Sequence, residues 1–202
     1  PQESGLDMFN VRDFALNRGT NSLFFAELLT VIDVEGVWRV DLTSPNTVAQ
    51  VVDQAQFPDD HSNGYIIDVE VYSSTGLLYF GTQSQQPSGN AGYNAAQNAI
   101  WYIAGTATGG TATQLTLNGM PGGNAFYPHH ITLDPQTRIL YVTSEETDVG
   151  GAVDDRIYAF ALSPDGTSAT WLGNTSASPA FTSDTVNFGG LVWWGASLNN
   201  TV

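Results

Sequence analysis

Asp13, Asp68 and His130 stand at matching places along the chain, each four residues ahead of Asn17, Tyr72 or Asp134, where a turn begins. Two carboxylates and an imidazole brought together could hold a divalent ion, because hard cations take carboxylate oxygen and many metals accept imidazole nitrogen. The alternative is that these residues line a wet channel mouth and bind nothing. His129 precedes His130, and neighbours on a strand point to opposite faces. Only one of the two histidines is therefore expected at such a site. Asp59, Asp60 and His61 occupy the corresponding stretch one repeat earlier and raise a metal or acid/base role there.

The densest carboxylate group is Glu145, Glu146 and Asp148, followed after Gly150-Gly151 by Asp154 and Asp155. A loop of this composition could wrap Ca²⁺, whose shell takes roughly 6–8 oxygens. The spacing departs from the calcium loop of an EF-hand. A solvated acidic loop is the plain alternative. Asp33 and Glu35 mark the matching loop of the first repeat.

These residues are positioned by a repeat. Leu23-Phe24-Phe25, Leu78-Tyr79-Phe80 and Leu140-Tyr141-Val142 read alike, and Leu191-Val192-Trp193 resembles them near the C-terminus. The intervals are roughly 50–60 residues, longer than a WD40 repeat. Each of the first three is preceded by an apolar strand and a polar turn. Each is followed by a strand rich in β-branched and aromatic residues: Val37-Trp38-Arg39-Val40, Ile100-Trp101-Tyr102-Ile103 and Ile157-Tyr158-Ala159-Phe160. Such residues favour strands. A fourth strand is expected at 47–52, 112–117 and 168–172, after turns at Ser44-Pro45-Asn46, Thr108-Gly109-Gly110 and Ser163-Pro164-Asp165-Gly166. The extra length falls between strands two and three, in loops expected at 81–98 and 143–155. Helical signals are sparse.

Four-stranded meanders repeated at a steady period predict an all-β protein, a β-propeller of four-stranded antiparallel blades. Three blades are expected at about 11–53, 65–118 and 129–173, with a partial fourth at 181–202, in a single domain spanning 1–202. A propeller usually closes with about 4–8 blades. The remaining blades are therefore expected in the same parent chain or in a partner protein. A single large β-sandwich is the rival layout, and the in-register repeat disfavours it.

Composition narrows the function. Asp and Glu number 20 against 5 Lys and Arg, for a net charge of −15. That charge repels nucleic acid and anionic membranes and attracts cations. With no cysteine, thiolate metal sites, disulfides and cysteine nucleophiles are excluded. No apolar run reaches the length of a membrane span. No nucleophile elbow, phosphate-binding loop or HExxH motif occurs. Trp193-Trp194 places one tryptophan toward solvent or an absent blade, and Asn174 and Asn199 open glycosylation sequons.

The stretches "HHITLDPQTRILYVTSEE" and "DRIYAFALSPDG" resemble blades of six-bladed propellers of the YWTD, NHL and SMP-30-like groups. The third repeat matches best. The second has Tyr72-Ser73 and the first Asn17-Arg18 where Asp-Pro would stand. The resemblance implies the fold and carries no catalytic motif. The expected function is a non-catalytic binding or structural module of a secreted or cell-surface protein, stabilised by Ca²⁺, within a larger assembly. The alternative is a metal-dependent propeller hydrolase of lactonase, phosphodiesterase or phytase kind. Its ligands would be Asp13, Asp68 and His130, with Glu145 in reserve. A phytase would also need cations for phosphate, and the chain has only 5.

Overall fold

The computed structural model describes residues 11–27, 36–44, 47–53, 64–84, 97–120, 126–147 and 153–174. Their regular structure is all strand, with no α-helix among the described residues. The first sheet is an antiparallel meander of β1 (Val11–Asn17), β2 (Ser22–Glu27), β3 (Gly36–Asp41) and β4 (Val48–Asp53). The second runs β5 (Gly64–Tyr72), β6 (Leu77–Ser84), β7 (Ala99–Ala104) and β8 (Thr113–Gln114). The third holds β10 (Pro128–Asp134), β11 (Ile139–Thr147), β12 (Val153–Leu162) and β13 (Ser168–Asn174). Its outer edge gains β9 (Thr116–Asn118), which pairs with β13 in parallel.

The repeat is visible in backbone geometry. The residue before the second strand of each sheet has a left-handed conformation: Asn21 (φ 50°), Gly76 (φ 71°) and Arg138 (φ 59°). Asn17 Oδ1 accepts from the amide of Gly19, and Asp134 Oδ1 accepts from that of Gln136. In the second turn the Tyr72 carbonyl takes the amides of Thr75 and Gly76 instead. Three different residues thus close one hairpin geometry, because each offers the turn an oxygen acceptor.

The sheets stack face to face in chain order. Phe24, Ala26 and Val52 of the first pack with Val69, Val71, Phe80 and Trp101 of the second. Tyr72, Tyr79 and Ile100 on the second sheet's other face pack with Ile131, Leu140 and Phe160 of the third. Burying a side chain of this size contributes roughly 1.5–3 kcal/mol. The two seams are therefore the main cohesive force. First strands lie against first strands, β1 on β5 and β5 on β10.

Three local expectations change. The strand expected at 112–117 is split. Thr113 and Gln114 pair with β7, Leu115 is buried in the second seam, and Thr116–Asn118 cross to the third sheet. Burial of Leu115 pulls the chain off its own sheet and ties the two sheets together. The acidic stretch at 143–155 is largely ladder: β11 and β12 pair from Ile139↔Ala161 to Thr147↔Val153. Likewise β6 extends into the stretch expected as loop, with Thr82 opposite Ala99. The partial repeat at 181–202 lies outside the described residues, as do Asp33, Glu35 and Asp148.

Candidate functional site

Asp13 of β1, Asp68 of β5 and His130 of β10 do meet where the three first strands run side by side. A register shift occurs at each position, between Val11 and Asp13, Ile66 and Asp68, and Pro128 and His130. Such irregularities turn a side chain off the strict alternation of a strand. They occur at the same place in all three sheets and aim these residues into the junction.

Asp68 is buried. Its Oδ1 accepts the amide of Val69 at 2.8 Å, and its Oδ2 accepts the amide of Ile131 in the next sheet at 2.6 Å. Asp13 repeats this pattern one sheet earlier. It accepts from the backbone of Val69, the residue that corresponds to Ile131. Glu70 adds a third strut. Its Oε1 takes the amide of Val71 at 2.9 Å, and its Oε2 takes the Thr132 hydroxyl at 3.4 Å. The carboxylates thus bond to backbone of the neighbouring sheet that has no strand partner on that side.

Electrostatics follow from crowding. The Asp13 and Asp68 carboxyls interact across the junction, and a proton on either one removes the repulsion between them. Burial first, then the Asp68 neighbour, pushes the Asp13 pKa up to about 8. Burial also raises Asp68, to about 6, against the lowering effect of its Asp13 and Ile131 hydrogen bonds. Burial raises Glu70 as well. His130 Nδ1 lies 3.4 Å from Asp68 Oδ2. Burial lowers the His130 pKa despite the acidic neighbours, so the contact at neutral pH is between a neutral imidazole and a carboxyl rather than an ion pair.

The arrangement resembles a shared-proton carboxyl pair more than an open cation cage. Among the described residues no three His, Asp or Glu side chains are placed to hold an ion. The His129 ring lies tilted against that of Tyr127, ring centres 5.6 Å apart, and stands 6.3 Å from that of His130. On the β11–β12 hairpin, Glu145 stands opposite Asp155 and Glu146 opposite Asp154. Asp59, Asp60 and His61 lie outside the described residues.

Glu70 and Thr132 are site residues the sequence reading does not single out. The signal was available: Asp68 and Glu70 alternate within the run Ile66–Tyr72, whose remaining residues are mostly apolar. Acids on one face of a strand buried on both sides need partners from the neighbouring layer.

No family model matches the chain, and no curated protein does. Among solved structures it is similar to the extracellular domain of a hybrid two-component system from B. thetaiotaomicron, at 13% identity and TM-score 0.47, over 80% of this chain and 16% of that one. It is also similar to hydrazine synthase of Kuenenia stuttgartiensis, at 15% identity and TM-score 0.46, over 73% of this chain and 39% of that one. The chain spans well under half the length of either.

Proposed function

We propose that the chain is a set of β-propeller blades acting as a non-catalytic binding or structural module of a secreted or cell-surface protein. One observation carries the reading. Three four-stranded meanders stack in chain order with their first strands adjacent, and the ionisable groups at that junction are spent on holding neighbouring sheets together. A carboxyl that binds the next sheet's backbone and shares a proton is poorly placed to activate water or polarise a substrate. The net charge of −15 suits a soluble outer surface and disfavours nucleic acid as a partner.

Ca²⁺ belongs to the reading as a stabiliser at the acidic end of the β11–β12 hairpin. Directly opposed like charges destabilise a strand pair. Glu145↔Asp155 and Glu146↔Asp154 are two such pairs in succession. A hard cation is attracted to such a concentration of acidic residues.

The test is an activity screen. The protein and an Asp13→Asn/Asp68→Asn variant are incubated with lactone, phosphodiester and phytate substrates in Ca²⁺. No turnover above the variant is expected. Turnover that the double substitution abolishes overturns the non-catalytic reading.

A further inference from the structure

The strap that ties the second sheet to the third is short and ends on a reactive pair of residues. β9 follows β8 after the buried Leu115 and pairs with β13 at Thr116↔Ser168, Leu117↔Ala169 and Asn118↔Thr170. Leu117 and, a little further on, Met120 both pack against the second seam. The chain is therefore anchored on either side of Asn118-Gly119, and the link between the anchors has little slack.

Asn118 is exposed, and its carboxamide bonds to no described residue. Gly119 takes φ +75°, and a Cβ built there meets nothing within 4 Å. Of the described asparagines, Asn118 alone precedes a glycine. Asn17 differs in both respects. It is buried, and its Oδ1 accepts from the amides of Gly19 and Thr20.

An asparagine before glycine has an intramolecular reaction open to it. The Gly119 backbone nitrogen, its proton lost to solvent base, attacks Cγ of Asn118. The bond from Cγ to the side-chain nitrogen breaks, and that nitrogen leaves as ammonia with a proton from water. The product is a cyclic succinimide. Water then opens the ring. Addition at Cγ gives ordinary aspartate, and addition at the main-chain carbonyl gives isoaspartate, in which the chain runs through Cβ. Water is the sole co-reactant, and nothing is oxidised or reduced. Glycine favours the attack because no Cβ crowds its nitrogen. A nucleophile already joined to its target also needs no encounter.

Either product places a carboxylate where a neutral amide stood, on a chain whose net charge is already −15. Isoaspartate does more, because it adds a carbon to the main chain between Leu117 and Met120. The Asn118↔Thr170 pair and the Met120 contact then no longer fit one register.

We propose that Asn118-Gly119 is a site of spontaneous modification, and that its conversion to isoaspartate loosens the strap between the second and third sheets. The proposal concerns the stack as it ages and is independent of what the module binds.

The folded protein is incubated at mildly alkaline pH and sampled over time, beside the same chain unfolded in urea. Peptide mapping with electron-transfer fragmentation reads the amide, aspartyl and isoaspartyl forms at each asparagine. Conversion at Asn118 is expected in the folded protein, with isoaspartate among the products, while Asn17 stays intact. The aged protein is expected to unfold at a lower denaturant midpoint and to exchange amide hydrogens faster along β13. Asn118→Gln, which closes the larger ring more slowly, is expected to keep its midpoint and its β13 protection through the same incubation. Asn118→Asp carries the charge without the added carbon and is expected to retain β13 protection. An Asn118 that converts in urea but not in the folded chain overturns the site. Conversion that leaves midpoint and β13 exchange unchanged overturns the loosening, as does an Asn118→Gln protein that loosens equally.

Discussion

The phenol of Tyr79 in β6 donates a hydrogen bond of 2.8 Å to the carbonyl of Gly166, joining the second sheet to the turn between β12 and β13. The bond is buried, and burial raises the Tyr79 pKa, so the phenol stays protonated as a donor. Tyr79→Phe keeps the ring in the second seam and strands the carbonyl. An unsatisfied buried acceptor costs about 1–3 kcal/mol. Denaturant unfolding of the variant is expected to show an unfolding free energy lowered by that amount, read as a lower midpoint with an unchanged slope. An unaltered midpoint would mean the bond contributes nothing net.

Gly166 itself is set by the same contact. Its φ is +77°, and a Cβ there would collide with the Tyr79 hydroxyl and with Leu77. Gly76 has a similar φ of +71° with nothing close to a Cβ. The two glycines separate backbone strain from collision. Gly76→Ala is expected to cost about 1 kcal/mol, the left-handed penalty alone. Gly166→Ala is expected to cost clearly more, because the seam must also shift. Equal losses in thermal or denaturant unfolding would show that the turn yields freely.

Asp68 is the residue on which the junction depends most. Asp68→Ala leaves the amides of Val69 and Ile131 without their 2.8 and 2.6 Å partners in a buried place. A loss of about 2–4 kcal/mol is expected, since two buried donors are orphaned. Asp68→Asn retains an acceptor oxygen and is expected to lose less. Hydrogen exchange at Ile131 is the direct probe. Its amide is expected to exchange faster in the alanine variant, and unchanged protection would deny the strut.

Much of this was legible in the sequence, for a definite reason. Leu78 and Leu140 recur with their neighbours because the second and third sheets bury the same face, and Leu23 stands at the same register of the first. Asp13, Asp68 and His130 were found through that register. What they do was not readable, because it depends on which backbone the next sheet brings up, and Ile131 lies 63 positions from its acceptor. The crossing of Thr116–Asn118 to the third sheet was hidden likewise. Leu115 looks like any strand residue until the seam that takes it is known. The acidic stretch at 143–155 read as loop from its charge, and it is mostly ladder because strand pairing there continues a hairpin already set by Leu140 and Phe160.

The paired acids of that hairpin lead to a metal experiment. If Ca²⁺ binds at this acidic end of the hairpin, the melting temperature should rise on adding Ca²⁺ and fall with chelator. Glu146→Gln/Asp154→Asn is expected to abolish the dependence while raising the melting temperature of the metal-free protein, since one opposed pair is discharged. Differential scanning calorimetry decides it. A midpoint indifferent to both Ca²⁺ and chelator removes the ion from the account.

The Asp13–Asp68 pair gives the junction a pH dependence of definite sign. Both carboxyls hold protons more tightly in the folded chain than the ordinary carboxylate value. Folding is then favoured by their protonation. That contribution is complete in acid, below the ordinary value, and is lost as pH rises through about 6 and about 8. Above that range a buried charge and a half-buried one face each other with only backbone amides to hold them. Raised carboxyls of this kind make stability fall with increasing pH, the reverse of the usual salt-bridged acid. The loss across this window is expected to be on the order of 2 kcal/mol, discounted for the partial exposure of Asp13. Asp13→Asn replaces the shared proton with an amide donor that does not titrate. Its stability is expected to be flatter between about pH 6 and 9, and higher than that of the unsubstituted protein at the alkaline end. Urea unfolding at a series of pH values reads both slopes, and parallel curves would show that the two carboxyls do not share a proton.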